Sequence, residues 1–366
     1  MKVFYCDMSI FTDIQIKLCS EEKKKIKPRD EELVFGKTFT DHMFFMEYKD
    51  EKWSDPKIIP YQSFEMDPAT AVFHYGQEIF EGMKAFRHPD NSIHLFRPYE
   101  NAERFNLSAE RMSMVKINKD LFVTAIKELI RVDNEWVPRA PGTTLYIRPT
   151  MIASEVALGV HPSLEYYFYI ILAPVGPYFK EGFKPTKAYV ATTNVRAAPG
   201  GTGEAKTGGN YAATLYEARI AQSRGYPQVI WLDAVERRYV EEASAMNIMF
   251  VINNEIYTPP LDGTILKGIT RKSVLDLATN LGYKIHEESL DINQVVNGIE
   301  TGECSESFFV GTAASITQVS EIFYKGKEYK INDGQIGKIT KHLYDELTGI
   351  QFGKKHDRFN WMIKIM

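Results

Sequence analysis

The sequence predicts an α+β fold in two parts. Strand-like and helix-like stretches are interleaved, but without the strict alternation of a doubly wound parallel sheet. The helical stretches carry apolar residues at helical spacing and have recognisable caps. A cluster of prolines and glycines over 174–182 interrupts the pattern near mid-chain and reads as a domain boundary. At 366 residues the chain can hold more than one core. The expected parts are an N-terminal α/β domain over 1–173, a connecting loop over 174–184 and a C-terminal domain over 185–366.

Taken in order, the charged run Glu21–Pro28 reads as a solvated arm. Strands are expected over 42–48 and 92–97. Pro98 suits a first helical turn and opens a helix through Met112. Asn118 caps the next helix, whose apolar pairs Leu121/Phe122, Ala125/Ile126 and Leu129/Ile130 recur every four residues. Strands follow over 143–148 and 166–173. Past the boundary come a strand over 187–192, a glycine-rich turn, and a helix over 210–224 that begins after Gly208-Gly209. Strands are expected over 228–232, 238–242 and 247–252. The helix over 270–281 puts Val274, Leu277, Ala278 and Leu281 on one face and stops at Gly282. A strand over 305–310 and a helix over 336–347 complete the chain.

Composition removes several function classes. A net charge of −4 gives no field that favours nucleic acid or an anionic membrane. The 8 histidines include no pair at metal-ligand spacing on one helix, so no metal site is expected. The 3 cysteines, Cys6, Cys19 and Cys304, cannot form a disulfide framework and fit a reducing compartment. Asp7 and Asp13, without a long apolar run, make a poor export signal. Apolar runs such as 166–175 are too short for a membrane helix, so a cytoplasmic protein is expected.

The segment Pro199–Tyr211, PGGTGEAKTGGNY, sets Lys206 between two glycine clusters, after a strand and before a helix. Such a lysine can grip a phosphate or form an imine. The first reading is a P-loop, since Gly200–Thr207 departs from GxxxxGK[ST] by one residue and Asp233 ends an apolar strand as a Mg²⁺-binding aspartate would. Ala205 stands where the P-loop needs glycine, and Gly208-Gly209 should delay the helix whose amides would reach the phosphate. The second reading is a Schiff-base lysine for pyridoxal phosphate. A lysine held away from bulk water loses charge and becomes a nucleophile. The cofactor also needs a carboxylate at its ring nitrogen, a donor at its ring oxygen and a cup for its phosphate. Glu242, Tyr211, the helix entry Lys267–Thr270 and Thr312 are candidates for these parts.

Longer strings add a resemblance. They include HYGQEIFEGMK (74–84), LFRP (95–98), NAER (101–104), LYIRP (145–149), APVGPYF (173–179), GGNY (208–211), TPPL (258–261), ILKGITR (265–271) and GTA (311–313). In this order and with these gaps, the chain resembles the branched-chain amino acid aminotransferases, which are class IV pyridoxal phosphate enzymes related to D-amino-acid transaminase. The resemblance implies two α/β domains with the cofactor between them, in a homodimer whose partner helps close each site. It implies transfer of the amino group of leucine, isoleucine or valine to 2-oxoglutarate, giving glutamate and the branched oxo acid, and the reverse. Carried over by position, Lys206 bonds the cofactor and shuttles the proton, Glu242 pairs with the ring nitrogen and Tyr211 with the ring oxygen. Arg104, the amides of Ile269 and Thr270, and the Thr312 hydroxyl hold the phosphate. Phe39, Tyr75, Phe80, Tyr146, Val160 and Tyr178 form the substrate pocket, and the amides near Ala313 and Ala314 face the substrate carboxylate. One pocket must take both a leucine side chain and the distal carboxylate of glutamate. Arg148, with Tyr146, is the candidate donor for the carboxylate.

Two positions depart from the family pattern. Ser244-Ala245 stands where many relatives have Gly-Thr, so the threonine hydroxyl near the substrate carboxylate is missing. Ala314 and Thr317 replace the CxxC pair of mammalian relatives, so no thiol switch is expected. A lyase on the same fold is the competing chemistry, but such relatives are usually shorter and lack the FEGMKAF and YIRP strings.

Overall fold

In the computed structural model, residues 13–177 and 184–366 are described. The chain divides into two compact units, Met1–Pro177 with Asp357–Met366, and Tyr178–His356. This corrects the expected C-terminal limit at 366. The last residues return to the first unit because the strand Met362–Lys364 pairs antiparallel with Ile93–Phe96. Trp361 packs edge-on to Phe96, and the Arg97 guanidinium lies 4.9 Å over the Trp361 ring.

The first unit is built on one mixed sheet. Its main run passes through Lys57–Pro60, His42–Lys49, Tyr166–Val175, Thr144–Ala153, Met83–Arg87 and Ile93–Phe96. The helices Pro98–Arg111 and Lys119–Val132 cover it. Asn118 caps the second as expected, its side chain accepting from the amides of Asp120 and Leu121. Phe105 and Phe122 meet Phe168 of the sheet, and all three rings are buried. Each such ring contributes about 1.5–3 kcal/mol by leaving water.

The second unit closes its sheet into a ring. In order the strands are Val240–Ala243, Gln228–Leu232, Thr186–Val190, Ser315–Tyr324, Cys304–Gly311 and Met246–Ile252, and the last pairs back on the first. The closing pairs are Glu242↔Asn247 and Ala243↔Met246. The turn between them is tight, with Ser244 in the left-handed region at φ 49°. Helices Ile269–Asn280, Ile292–Thr301 and Lys338–Gln351 surround the ring. The sequence reading passed over Ile292–Thr301, although its signals are present. Asp291 caps it, Ile292, Val295, Val296 and Ile299 are buried, and Gly302 ends it at φ 83°.

The helix expected over 210–224 is two helices, Gly208–Ala212 and Leu215–Ser223. The first starts on the glycine pair, against the expectation that those residues would delay it. The buried Asn210 side chain donates to the carbonyls of Thr202 and Ala205, which fastens this turn to the preceding loop. Local bonds here outweigh the poor helix propensity of glycine.

Candidate active site

The site in the second unit grows from the closure of the ring. Neighbouring side chains on a strand leave opposite faces, so Glu241 and Glu242 point apart. Glu242 is buried, with 3% of its surface exposed, and must be paired to stay there. Its Oε1 accepts from Asn247 Nδ2 at 2.9 Å and from the Leu266 amide at 2.9 Å. Its Oε2 lies 3.0 Å from Arg196 Nε. That N–H is not aligned on the oxygen and forms no hydrogen bond, so the contact is an ion pair held by charge and distance. Arg196 Nη2 is anchored by the carbonyls of Gly203 (3.1 Å) and Thr264.

Lys206 lies half-buried on the loop that Arg196 and Asn210 tie down. Its Nζ is 2.8 Å from Tyr211 Oη, one turn into the short helix. Arg196, Ala205, Tyr211, Glu242, Ala245 and Leu266 line one concavity. A phenol and a buried carboxylate therefore border a common space within the second unit, and the Lys206 amine is hydrogen-bonded to that phenol. This donor set fits pyridoxal phosphate, which needs all three types.

Gly268 caps the helix Ile269–Asn280 without a side chain, leaving the first amides, those of Ile269 and Thr270, without an intrahelical partner. Glycine is required there, because a Cβ would lie 2.0 Å from Asn247 Oδ1. The strand expected over 305–310 spans Cys304–Gly311, and the turn 312–314 leads into Ser315–Tyr324. Ala314 in that turn is buried. Ser244 Oγ accepts from the Val229 amide at 3.0 Å, so this hydroxyl is committed to the neighbouring strand. Asp233, the aspartate of the P-loop reading, accepts from the amides of Val235, Glu236, Arg238 and Tyr239 and shapes a turn. Burial alone would raise its pKa, but those four amides hold it below the ordinary value.

The other candidates lie in the first unit. Arg104, on the helix Pro98–Arg111, makes a bidentate pair with Glu81, Nε to Oε1 at 2.7 Å and Nη2 to Oε2 at 2.9 Å. Asn101 Nδ2 also donates to Glu81 Oε2, at 2.8 Å. Tyr146, Arg148 and Phe80 form one cluster. Arg148 Nη2 donates to Tyr146 Oη at 2.9 Å, and its guanidinium lies 4.6 Å over the Phe80 ring. Gly82 makes room for it, since a Cβ there would lie 2.1 Å from Tyr146 Oη. Phe39 stacks instead on Tyr61. Tyr75 donates to the Leu158 carbonyl and is 43% exposed, while Val160 is 84% exposed. Tyr178 lies outside the described residues.

Arg196, Asn247 and Glu81 escaped the sequence reading. Arg196 had a signal, being the lone charged residue between Lys187 and Glu204. Asn247 had none, and Glu81 had none beyond membership of the 74–84 string, because their roles depend on pairings that only folding creates.

The family described as Amino-transferase class IV matches residues 78–322. Branched-chain-amino-acid aminotransferase 2 of Bacillus subtilis is 47% identical over 96% of this chain and 97% of its own. Branched-chain-amino-acid aminotransferase of Mycolicibacterium smegmatis is 47% identical over 90% of this chain and 92% of its own. Among solved structures, a T.th. branched-chain amino acid aminotransferase complexed with N-(5'-phosphopyridoxyl)-L-glutamate superposes with a TM-score of 0.71 at 25% identity, covering 88% of this chain and 98% of that one. The chain belongs to the class IV aminotransferases and, within them, to the branched-chain amino acid aminotransferases.

Proposed function

We propose that this enzyme moves the amino group of leucine, isoleucine or valine to 2-oxoglutarate, and the reverse, using pyridoxal phosphate held on Lys206. The observation that carries this reading is the 2.8 Å contact of Lys206 with Tyr211 beside the buried Arg196–Glu242 pair. Bound there, the cofactor supplies an electron sink for the substrate carbon. The protein's part is to hold and move protons. Lys206 Nζ takes and returns the substrate proton, and Tyr211 Oη orients that amine and donates to the ring oxygen. Glu242 keeps a proton on the ring nitrogen, with Arg196 and Asn247 fixing its carboxylate. The amides of Ile269 and Thr270, the Thr312 hydroxyl and Arg104 hold the phosphate. Glu81 keeps the Arg104 fork in one orientation. The amides near Ala313 and Ala314 bind the substrate carboxylate.

Phe39, Tyr75, Phe80, Tyr146, Val160 and Tyr178 receive the aliphatic chain, and Arg148 receives the distal carboxylate of glutamate. The solved relative with a phosphopyridoxyl-glutamate ligand supports both the cofactor and the second substrate. A cytoplasmic homodimer completes the reading. Tyr75, Val156, Leu158, Val160 and Leu164 are exposed on neighbouring segments, an apolar patch of the kind that a second subunit covers. Among the described residues no helix is long and apolar enough to cross a membrane. The test is glutamate formation from leucine and 2-oxoglutarate, with pyridoxal phosphate added. Wild type should turn over and Lys206→Ala should not. Equal rates in both would overturn the assignment.

A further inference from the structure

Behind the Arg196–Glu242 pair lies a second carboxyl group. Glu241 is 5% exposed, and its Oε2 has no hydrogen-bond partner among the described residues. Its Oε1 is 2.7 Å from Thr264 Oγ1. The same hydroxyl oxygen is 2.8 Å from Asp262 Oδ1. One hydroxyl has a single proton and cannot donate to both carboxyl groups. Asp262 is exposed and also accepts from the Thr264 amide at 3.2 Å, so it is the natural carboxylate of the two. The other short contact then needs Glu241 as donor, with a proton on its carboxyl. The Thr264 carbonyl in turn accepts from Arg196 Nη2.

We infer that Glu241 is a positioning residue that carries a proton on its carboxyl group, exchanges it with solvent through Thr264 and Asp262, and thereby sets how fully Arg196 neutralises Glu242. In the exchange, the Glu241 proton passes to Thr264 Oγ1 as the Thr264 proton passes to Asp262, so no charge is stranded between them. Ionised Glu241 would compete with Glu242 for Arg196, whereas the protonated form leaves that pair intact. The groups around Glu241 pull in both directions, and burial decides. Burial dominates and raises its pKa, Thr264 and Arg196 lower it, Asp262 and Asp233 raise it, and the net is a value of about 7.

The inference rests on Glu242 serving the cofactor, so two measurements are needed. The first uses the apoenzyme and no cofactor. Folded Glu241 keeps a proton that the unfolded chain releases near the ordinary carboxylate pKa. Its contribution to stability is therefore full below that range and is lost as pH rises to about 7. The melting temperature of Glu241→Gln relative to wild type should climb across this window, and Thr264→Val should alter the same profile while Thr264→Ser keeps it. Parallel profiles for wild type and Glu241→Gln would overturn the bound proton.

The second measurement titrates the visible band of the enzyme loaded with pyridoxal phosphate. Glutamine never supplies the negative charge that Glu241 gains, so the cofactor should lose its proton at lower pH in Glu241→Gln, by roughly half a unit to one unit. An unchanged midpoint, with the unfolding profile altered, would overturn the coupling to Glu242. A wild type without a visible band would remove the cofactor reading and this coupling with it, while the unfolding profile still reports on the proton.

Discussion

Arg196 Nε stands 3.0 Å from Glu242 Oε2, and both side chains are buried. A buried pair of this kind costs little while intact and much when one partner is removed. Arg196→Ala should therefore destabilise the apoenzyme by about 3–5 kcal/mol in denaturant unfolding. It should also weaken cofactor binding. A loss under about 1 kcal/mol would mean that the pair carries no such cost.

Gly268 tests the same carboxylate through its neighbour. An alanine Cβ would meet Asn247 Oδ1 at 2.0 Å and displace the amide that donates to Glu242. Gly268→Ala should cost about 1–3 kcal/mol and loosen pyridoxal phosphate, measured by equilibrium dialysis. Gly209→Ala is the control, since nothing lies within 4 Å of a Cβ there. It should leave both quantities nearly unchanged.

Tyr211→Phe removes the hydroxyl 2.8 Å from Lys206 Nζ without emptying the space of the ring. Turnover should fall about 10²-fold, as for loss of a positioned proton-transfer partner, with the unfolding midpoint unmoved. Steady-state kinetics beside a melting curve separates this from a packing defect.

The proposed role of Arg148 is to receive the distal carboxylate of 2-oxoglutarate. Its guanidinium lies over Phe80 and donates to Tyr146. A charged hydrogen bond is worth about 1.5–3 kcal/mol, so Arg148→Ala should lower kcat/KM for 2-oxoglutarate by roughly 10- to 100-fold. The branched oxo acid should lose much less. Equal losses would make Arg148 a structural partner of Tyr146 and no more.

Arg104 and Glu81 should behave as one unit. Either single alanine substitution strands a buried charge and should cost about 3–5 kcal/mol. The double substitution should cost less than the sum, read from a double-mutant cycle in urea.

The α+β class and most long elements were legible because their signals are local. The strand Gln228–Leu232 lies where it was expected, and Pro98 and Asn118 open their helices. Lys206, Tyr211 and Glu242 were legible as residue types on recognisable turns and strands. What escaped depends on distant pairing. The return of Met362–Lys364 to Ile93–Phe96 joins chain segments far apart in sequence, and no local pattern encodes it. The closure of the ring through Glu242↔Asn247 is likewise a matter of register. Propensity alone does not place the start of the helix at Gly208, because the Asn210 side chain holds that turn through bonds that form only on folding.

The central claim is that Lys206 carries the cofactor, and one measurement addresses it directly. The enzyme is incubated with pyridoxal phosphate, reduced with borohydride, digested, and its peptides weighed by mass spectrometry. The account predicts a single phosphopyridoxyl mass on the peptide containing Lys206, absent in Lys206→Ala. The same label on another lysine, such as Lys84, with none on Lys206, would contradict it.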